Sequence, residues 1–133
     1  MSELRAMRGI GRPFVFTAIG LIVATGLIHF IEAPDAFREM PYKGVLFVAN
    51  GVGALFSALG IYRGARNWGW LLGLIVAGGA LLGYIASRTV GMPGLPAEPD
   101  AWLEPIGVAS VIVEALFVIL VFRVLMTSFN SRT

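Results

Sequence analysis

GVLFVANGVGALFSALGIY (residues 44–62), RGARN (63–67) and WGWLLGLIVAGGALLGYIA (68–86) form the continuous stretch that decides the fold. Two runs of 19 residues without a charged side chain flank five residues that carry two arginines. A helix rising ~1.5 Å per residue needs ~20 residues to cross a ~30 Å hydrocarbon core, so each run has the length of one membrane span. A five-residue connection predicts an antiparallel pair with a tight turn.

Outward from this pair, two further windows have the same character. Pro13 to Ile31 precedes it, and Pro105 to Phe122 follows it, with the last span drawn on to residue 126. The expected fold is therefore all-α: an integral membrane four-helix bundle, up-down-up-down, with residues 1–133 as a single membrane domain. Its spans cover about 13–31, 44–62, 68–86 and 105–126, and its outward loops 32–43 and 87–104. Composition agrees, with 57% hydrophobic residues and 14% charged, against ~25% charged in an average soluble domain. Arg5, Arg8 and Arg12 precede the first window like the n-region of a signal peptide. The apolar run exceeds the usual ~7–15 residues and no A-x-A-like site follows it, so this segment is expected to remain as a span.

Charge sets the expected orientation. Arg5, Arg8, Arg12, Arg63, Arg66, Arg123 and Arg132 share one side with the single carboxylate Glu3. The other side holds Arg38, Lys43 and Arg88 against Glu32, Asp35, Glu39, Glu98, Asp100 and Glu104. By the positive-inside rule both termini are cytoplasmic and the acidic loops face outward. The cations are scattered over segment ends and form no basic stripe, so no nucleic-acid partner is expected despite a net charge of +2.

The two outward loops read differently. Pro34 suits the first turn of a short interfacial helix, with Phe37 and Met40 three apart on one side. Residues 87–104 carry Pro93, Pro96 and Pro99 with Gly91 and Gly94, which forbid a continuous helix and predict a folded cap, with Trp102 at headgroup level. Small residues recur at a spacing of four: Gly20 and Ala24; Ala49, Gly53 and Ser57; Gly69, Gly73 and Ala77. Such stripes allow close helix approach in lipid, and packing accounts for them. Gly79 and Gly83 lie on another face, where a second protomer would make a homodimer. Tyr62, Trp68 and Trp70 read as interfacial anchors at the cytoplasmic boundary.

Glu114 lies nine positions into its span, ~14 Å along the helix and so near the bilayer midplane. A carboxyl there is either neutral and hydrogen-bonded for packing, or part of a proton or ion route. His29, the only histidine, precedes Glu32 by three and shares its face. It is a candidate for metal or haem ligation or for proton exchange, the alternative being a histidine bonded to a carboxylate. Asn50, Tyr84, Arg88 and Ser110 complete a polar group in the outer half, Ser110 sharing a helix face with Glu114. Arg88 has Glu104 or Glu32 as its nearest expected partner. No catalytic residue is assigned. The absence of cysteine excludes disulfides, thiolate sites and thiol catalysis, and no Walker, Rossmann, GxSxG or HExxH pattern is present.

The strings HFIEAP (29–34), PYKGVLFVAN (41–50) and SRTVGMPG (87–94) resemble those of small four-span bacterial membrane proteins, mostly uncharacterised, and the layout is similar to DoxX-like proteins. The resemblance implies a bacterial cytoplasmic (inner) membrane and a compact four-helix bundle. It supplies no catalytic residue.

Three functions are open to such a chain. It is a non-catalytic subunit or binding module whose outward polar site engages a small ligand, a partner protein or a larger membrane complex. It is an electron-transfer accessory subunit holding haem or quinone through His29. Or it is a proton- or ion-coupled transporter using Glu114.

Overall fold

The computed structural model describes residues 11–64 and 67–130, the last three of these as backbone alone. Glu3, Arg5, Arg8, Arg66 and Arg132, which enter the charge comparison, lie outside the described residues. Four long helices form a bundle: α1 (Arg12–Glu39), α2 (Pro41–Tyr62), α3 (Trp68–Thr89) and α4 (Pro105–Asn130). Each is long and apolar enough to cross a membrane, the character of a multi-pass membrane protein. Among the described residues there is no strand, and one 3-10 turn covers Pro99–Ala101.

Prolines start three of the helices. Pro13 stands in the first turn of α1, Pro41 opens α2 and Pro105 opens α4, at positions where the missing N–H costs nothing. Pro34 breaks that pattern. The expected loop over 32–43 with a separate interfacial helix is not what forms: α1 runs through Pro34 to Glu39, and Met40 alone, in extended conformation, separates it from α2. A proline inside a helix costs ~3 kcal/mol. Contacts on either side of it offset that cost, because Ala33 and Ala36 are buried and the rings of Phe30 and Phe37 lie against Gly51 and Gly44 of α2.

The helices close a ring in which α1 packs on α2 and α4, and α3 on α2 and α4. Residues meet in reverse order along the three consecutive pairs. Phe30 faces Gly51 and Gly26 faces Ala54 across α1 and α2, Gly60 faces Gly69 across α2 and α3, and Gly73 faces Phe117 across α3 and α4. The closest approach is at Gly60 and Gly69. A Cβ on Gly69 would stand 2.7 Å from the backbone nitrogen of Ile61. Two side chains tie the same interface to the opposite backbone: Ser57 donates to the Gly69 carbonyl at 2.7 Å and Asn50 to the Val76 carbonyl at 2.9 Å.

The small-residue stripes are used unevenly. Gly53, Ser57, Gly69 and Gly73 pack as expected, but Gly20 is exposed with nothing near its Cα, and Ala49 is exposed. α1 meets its neighbour through Gly26, a face on which Ala18, Ile22 and Thr25 are also buried. A Cβ on Gly79 or Gly83 would meet nothing within 4 Å among the described residues. Trp70 also differs from expectation. It is a core residue, 1% exposed, with its ring between Phe14 and Phe117, whereas Trp68 and Tyr62 stand at the surface. The indole fits there because Gly69 and Gly73 carry no side chain on the neighbouring turns.

The outer faces of the helices carry large apolar side chains, Ile75 and Leu82 each 70% exposed among them. Water does not suit such a surface and lipid does. Gly69→Leu is expected to destabilise the bundle by about 1–3 kcal/mol through overpacking, whereas Gly79→Leu leaves it unchanged. Thermal unfolding of both variants in detergent micelles checks this, and equal melting would refute the role given to the Gly60–Gly69 contact.

Candidate functional site

Residues 90–104 and the α1–α2 junction lie together at one end of the bundle, the cap end; Gly64 marks the other, the turn end. Gly91 and Gly94 take left-handed backbone angles, φ +82° and +74°, and Met92 and Leu95 bond to one another across the turn between them. The cap is fastened at several points. Tyr42 of α2 donates to the Pro93 carbonyl at 2.5 Å, Glu98 N–H to the Ser87 carbonyl at 2.9 Å, and Tyr84 to the Trp102 carbonyl at 2.6 Å.

Arg88 does most at this end. Its guanidinium lies 3.7 Å from the centre of the Tyr84 ring, donates to the Ala101 carbonyl at 3.3 Å and to the Ser87 hydroxyl at 2.8 Å, and stands 3.7 Å from the Glu104 carboxylate. Gly107 on α4 leaves room for both side chains: a Cβ there would meet the Tyr84 ring at 2.9 Å and Arg88 at 3.3 Å. Tyr84 and Arg88, expected as site residues, therefore hold the cap to α3 and α4. Of the two partners expected for Arg88, the structure brings in Glu104.

Deeper in the bundle lies Glu114, 2% exposed, one turn toward the cap from the core ring of Phe117. The Ser110 hydroxyl, four residues earlier on α4, donates to its Oε1. Its Oε2 is buried and has no hydrogen-bond partner. No lysine or arginine among the described residues pairs with it. Leaving such a group unbonded costs ~1–3 kcal/mol, so a structure retains it only when something compensates or occupies it.

His29, 7% exposed, bonds within its own helix. Its Nδ1 lies 2.8 Å from the Thr25 carbonyl. A carbonyl only accepts, so Nδ1 carries the proton and Nε2 keeps its lone pair. The Phe47 ring of α2 covers the imidazole at 5.1 Å between centroids. No hydrogen bond links His29 to Glu32 among the described residues, so the expected histidine–carboxylate pair does not form there. Glu32 on α1 is half-buried and lies within electrostatic reach of Glu114, Glu104, Lys43, Arg88 and Asp35. Lys43 is itself paired with Glu39.

Asn50 spans α2 and α3, its amide committed to Val76, while its Oδ1 is buried without a partner. Of the seven residues singled out from sequence, the structure thus bonds Ser110 to Glu114 on α4, leaves Glu32 half-buried on α1, gives Tyr84 and Arg88 to the cap, Asn50 to the α2–α3 contact and His29 to its own helix. Among the described residues no three His, Asp or Glu side chains are placed to hold a metal ion together. Sequence reasoning passed over Tyr42 and the buried Thr25, and took Ser57 only as a small residue. Their spacing relative to Asn50 and His29 carried the only available signal.

Comparison with family models, curated proteins and solved structures gives no match for the chain. The functional argument therefore rests on the residues themselves. Among the described residues the buried polar atoms without a hydrogen-bond partner are the acceptors Glu114 Oε2 and Asn50 Oδ1 and the donor Trp70 Nε1.

Removing the Arg88 guanidinium is expected to release the cap. Arg88→Ala speeds hydrogen exchange of the Ala101 and Glu104 amides about 10–100-fold, corresponding to a loss of ~1–3 kcal/mol. Arg38→Ala, which removes an exposed pair with Asp35 at 2.8 Å, leaves those rates alone; identical rates in both variants and the parent would refute the assignment.

Proposed function

We propose that this chain is a non-catalytic four-span subunit of a bacterial inner membrane, up-down-up-down with both termini cytoplasmic, whose outward half is a binding module for a small ligand or a partner protein. The reverse-order contacts along the three consecutive helix pairs support the up-down course, and the seven-to-three division of cations supports the orientation. The observation that carries the binding role is the buried, unpartnered Oε2 of Glu114. A group of this kind in an apolar span marks a functional position by default, and as an acceptor it suits a species that donates hydrogen bonds or bears positive charge. The same oxygen favours the second reading, proton or ion coupling.

The chain has no cysteine, so single cysteines report topology cleanly. An impermeant maleimide applied to intact cells is expected to label Asp100→Cys and not Gly64→Cys; the reverse pattern would overturn the orientation. Native mass spectrometry of the protein released from membranes tests the binding role. A bound small molecule or second polypeptide at fixed stoichiometry should be present in the parent and lost in Glu114→Ala, and a bare chain in both would reject it.

A further inference from the structure

We propose that Glu114 is an exchangeable proton site, and that Glu32 connects it to water at the cap end of the bundle. The inference rests on reading Glu114 as the binding site of a membrane chain, and it names one occupant of that site.

The geometry restricts what Glu114 can hold. Its carboxyl is 2% exposed and offers one free oxygen, because Ser110 occupies the other. An ionised carboxylate in apolar surroundings needs a positive charge beside it. Arg88, at the cap end of the same bundle, is engaged with Tyr84, Ala101, Ser87 and Glu104. A divalent ion needs several acidic or imidazole ligands, and no such group exists among the described residues. One carboxyl with a hydroxyl donor on one oxygen is matched by a single proton on the other.

The surroundings also supply a route. Glu104, at the mouth, has a side chain 54% exposed. Glu32 is half-buried on α1, which packs on α4, and lies within electrostatic reach of both Glu104 and Glu114. In exposure the three carboxyls on these two packed segments descend from surface to interior in the order Glu104, Glu32, Glu114. The other groups around these segments are accounted for. α1 brings His29 one turn deeper than Glu32, with its Nδ1 bonded to Thr25. α3, packed on the other flank of α4, brings Tyr84 and Arg88, both bound to the cap. α4 itself brings Ser110. Toward the turn end the path is closed by Phe117, Trp70 and Val121, each 0–1% exposed. Exchange therefore proceeds from the cap end alone.

A lipid-soluble carbodiimide tests this, since it adds a carboxylic acid O–H across its N=C bond and leaves the whole reagent attached as an acylurea. In native membranes, mass spectrometry is expected to find the adduct on Glu114, with labelling that falls about tenfold per pH unit on the alkaline side, the slope of one proton. In sealed right-side-out vesicles with the inner pH clamped, labelling follows the outer pH. Glu114→Gln abolishes the adduct, and Glu32→Gln displaces the pH profile. No adduct at any pH, a profile independent of pH, labelling that follows the inner pH, or protection by sodium, lithium or potassium would each overturn the proposal. An unchanged profile in Glu32→Gln would overturn the part given to Glu32. If Glu114→Gln fails to accumulate, the profile of the parent protein still decides. A failure of the membrane reading is seen earlier and separately, as protein that leaves the membranes in an alkaline carbonate wash.

Discussion

The contact of the α2 and α3 backbones at Gly60 and Gly69 is the constraint on which the rest of the bundle depends. In an apolar solvent, burial of hydrophobic surface does not hold helices together, and close packing and interhelical hydrogen bonds must. Two glycines let the backbones touch, and the touch brings the Gly69 carbonyl within 2.7 Å of the Ser57 hydroxyl. It also fixes the register that sets Asn50 opposite Val76. With α2 and α3 so close, the space beside Gly69 and Gly73 is left for Trp70 and Phe117, which stack at 6.5 Å and join α3 to α4. α4 follows from this contact, while α1 is seated on α2 by Gly26, Phe30 and Phe37.

Much of the frame was legible in the sequence because its cause is local. Apolar length, prolines at helix starts and glycines at a spacing of four need no knowledge of the other helices, and they located α2, α3 and α4 to within a few residues. The cap was legible for the same reason, since Gly91, Gly94 and three prolines fix a broken backbone. The α1–α2 junction was not. Whether Pro34 ends a helix depends on whether residues beyond it find partners, and the rings of Phe30 and Phe37 against Gly51 and Gly44 are contacts between helices. Trp70 illustrates the same limit. Its neighbour Trp68 has the same chemistry and opposite burial, and only the position of α4 separates them.

The candidate site was legible as residue types and not as partnerships. Polar side chains in a span announce themselves, yet the four-residue spacing of Tyr84 and Arg88 says nothing of a loop carbonyl waiting at Trp102 or Ala101. The Ser110–Glu114 pair was foreseeable because both lie on one helix, four apart. That Glu32 of α1 lies within electrostatic reach of Glu114 of α4 had no sequence signature. What marks Glu114 is an acidic group 2% exposed, with one oxygen bonded to Ser110 and the other without a partner.

The single residue Met40 between α1 and α2 has a mechanical consequence. Because the two helices start from a shared junction and differ in length, 28 residues against 22, the excess of α1 must emerge at the turn end, about 9 Å of it at helical rise. α4, with 26 residues, likewise overshoots α3. The bundle is therefore stepped, two terminal helices standing proud of the short turn at Gly64. The apolar runs of the four helices are nearly equal, so the step does not lengthen the apolar part of α1. It offsets that part along the bundle axis, and Arg12 and Arg123, with their long stems, are the charged side chains suited to meeting a polar boundary near these ends.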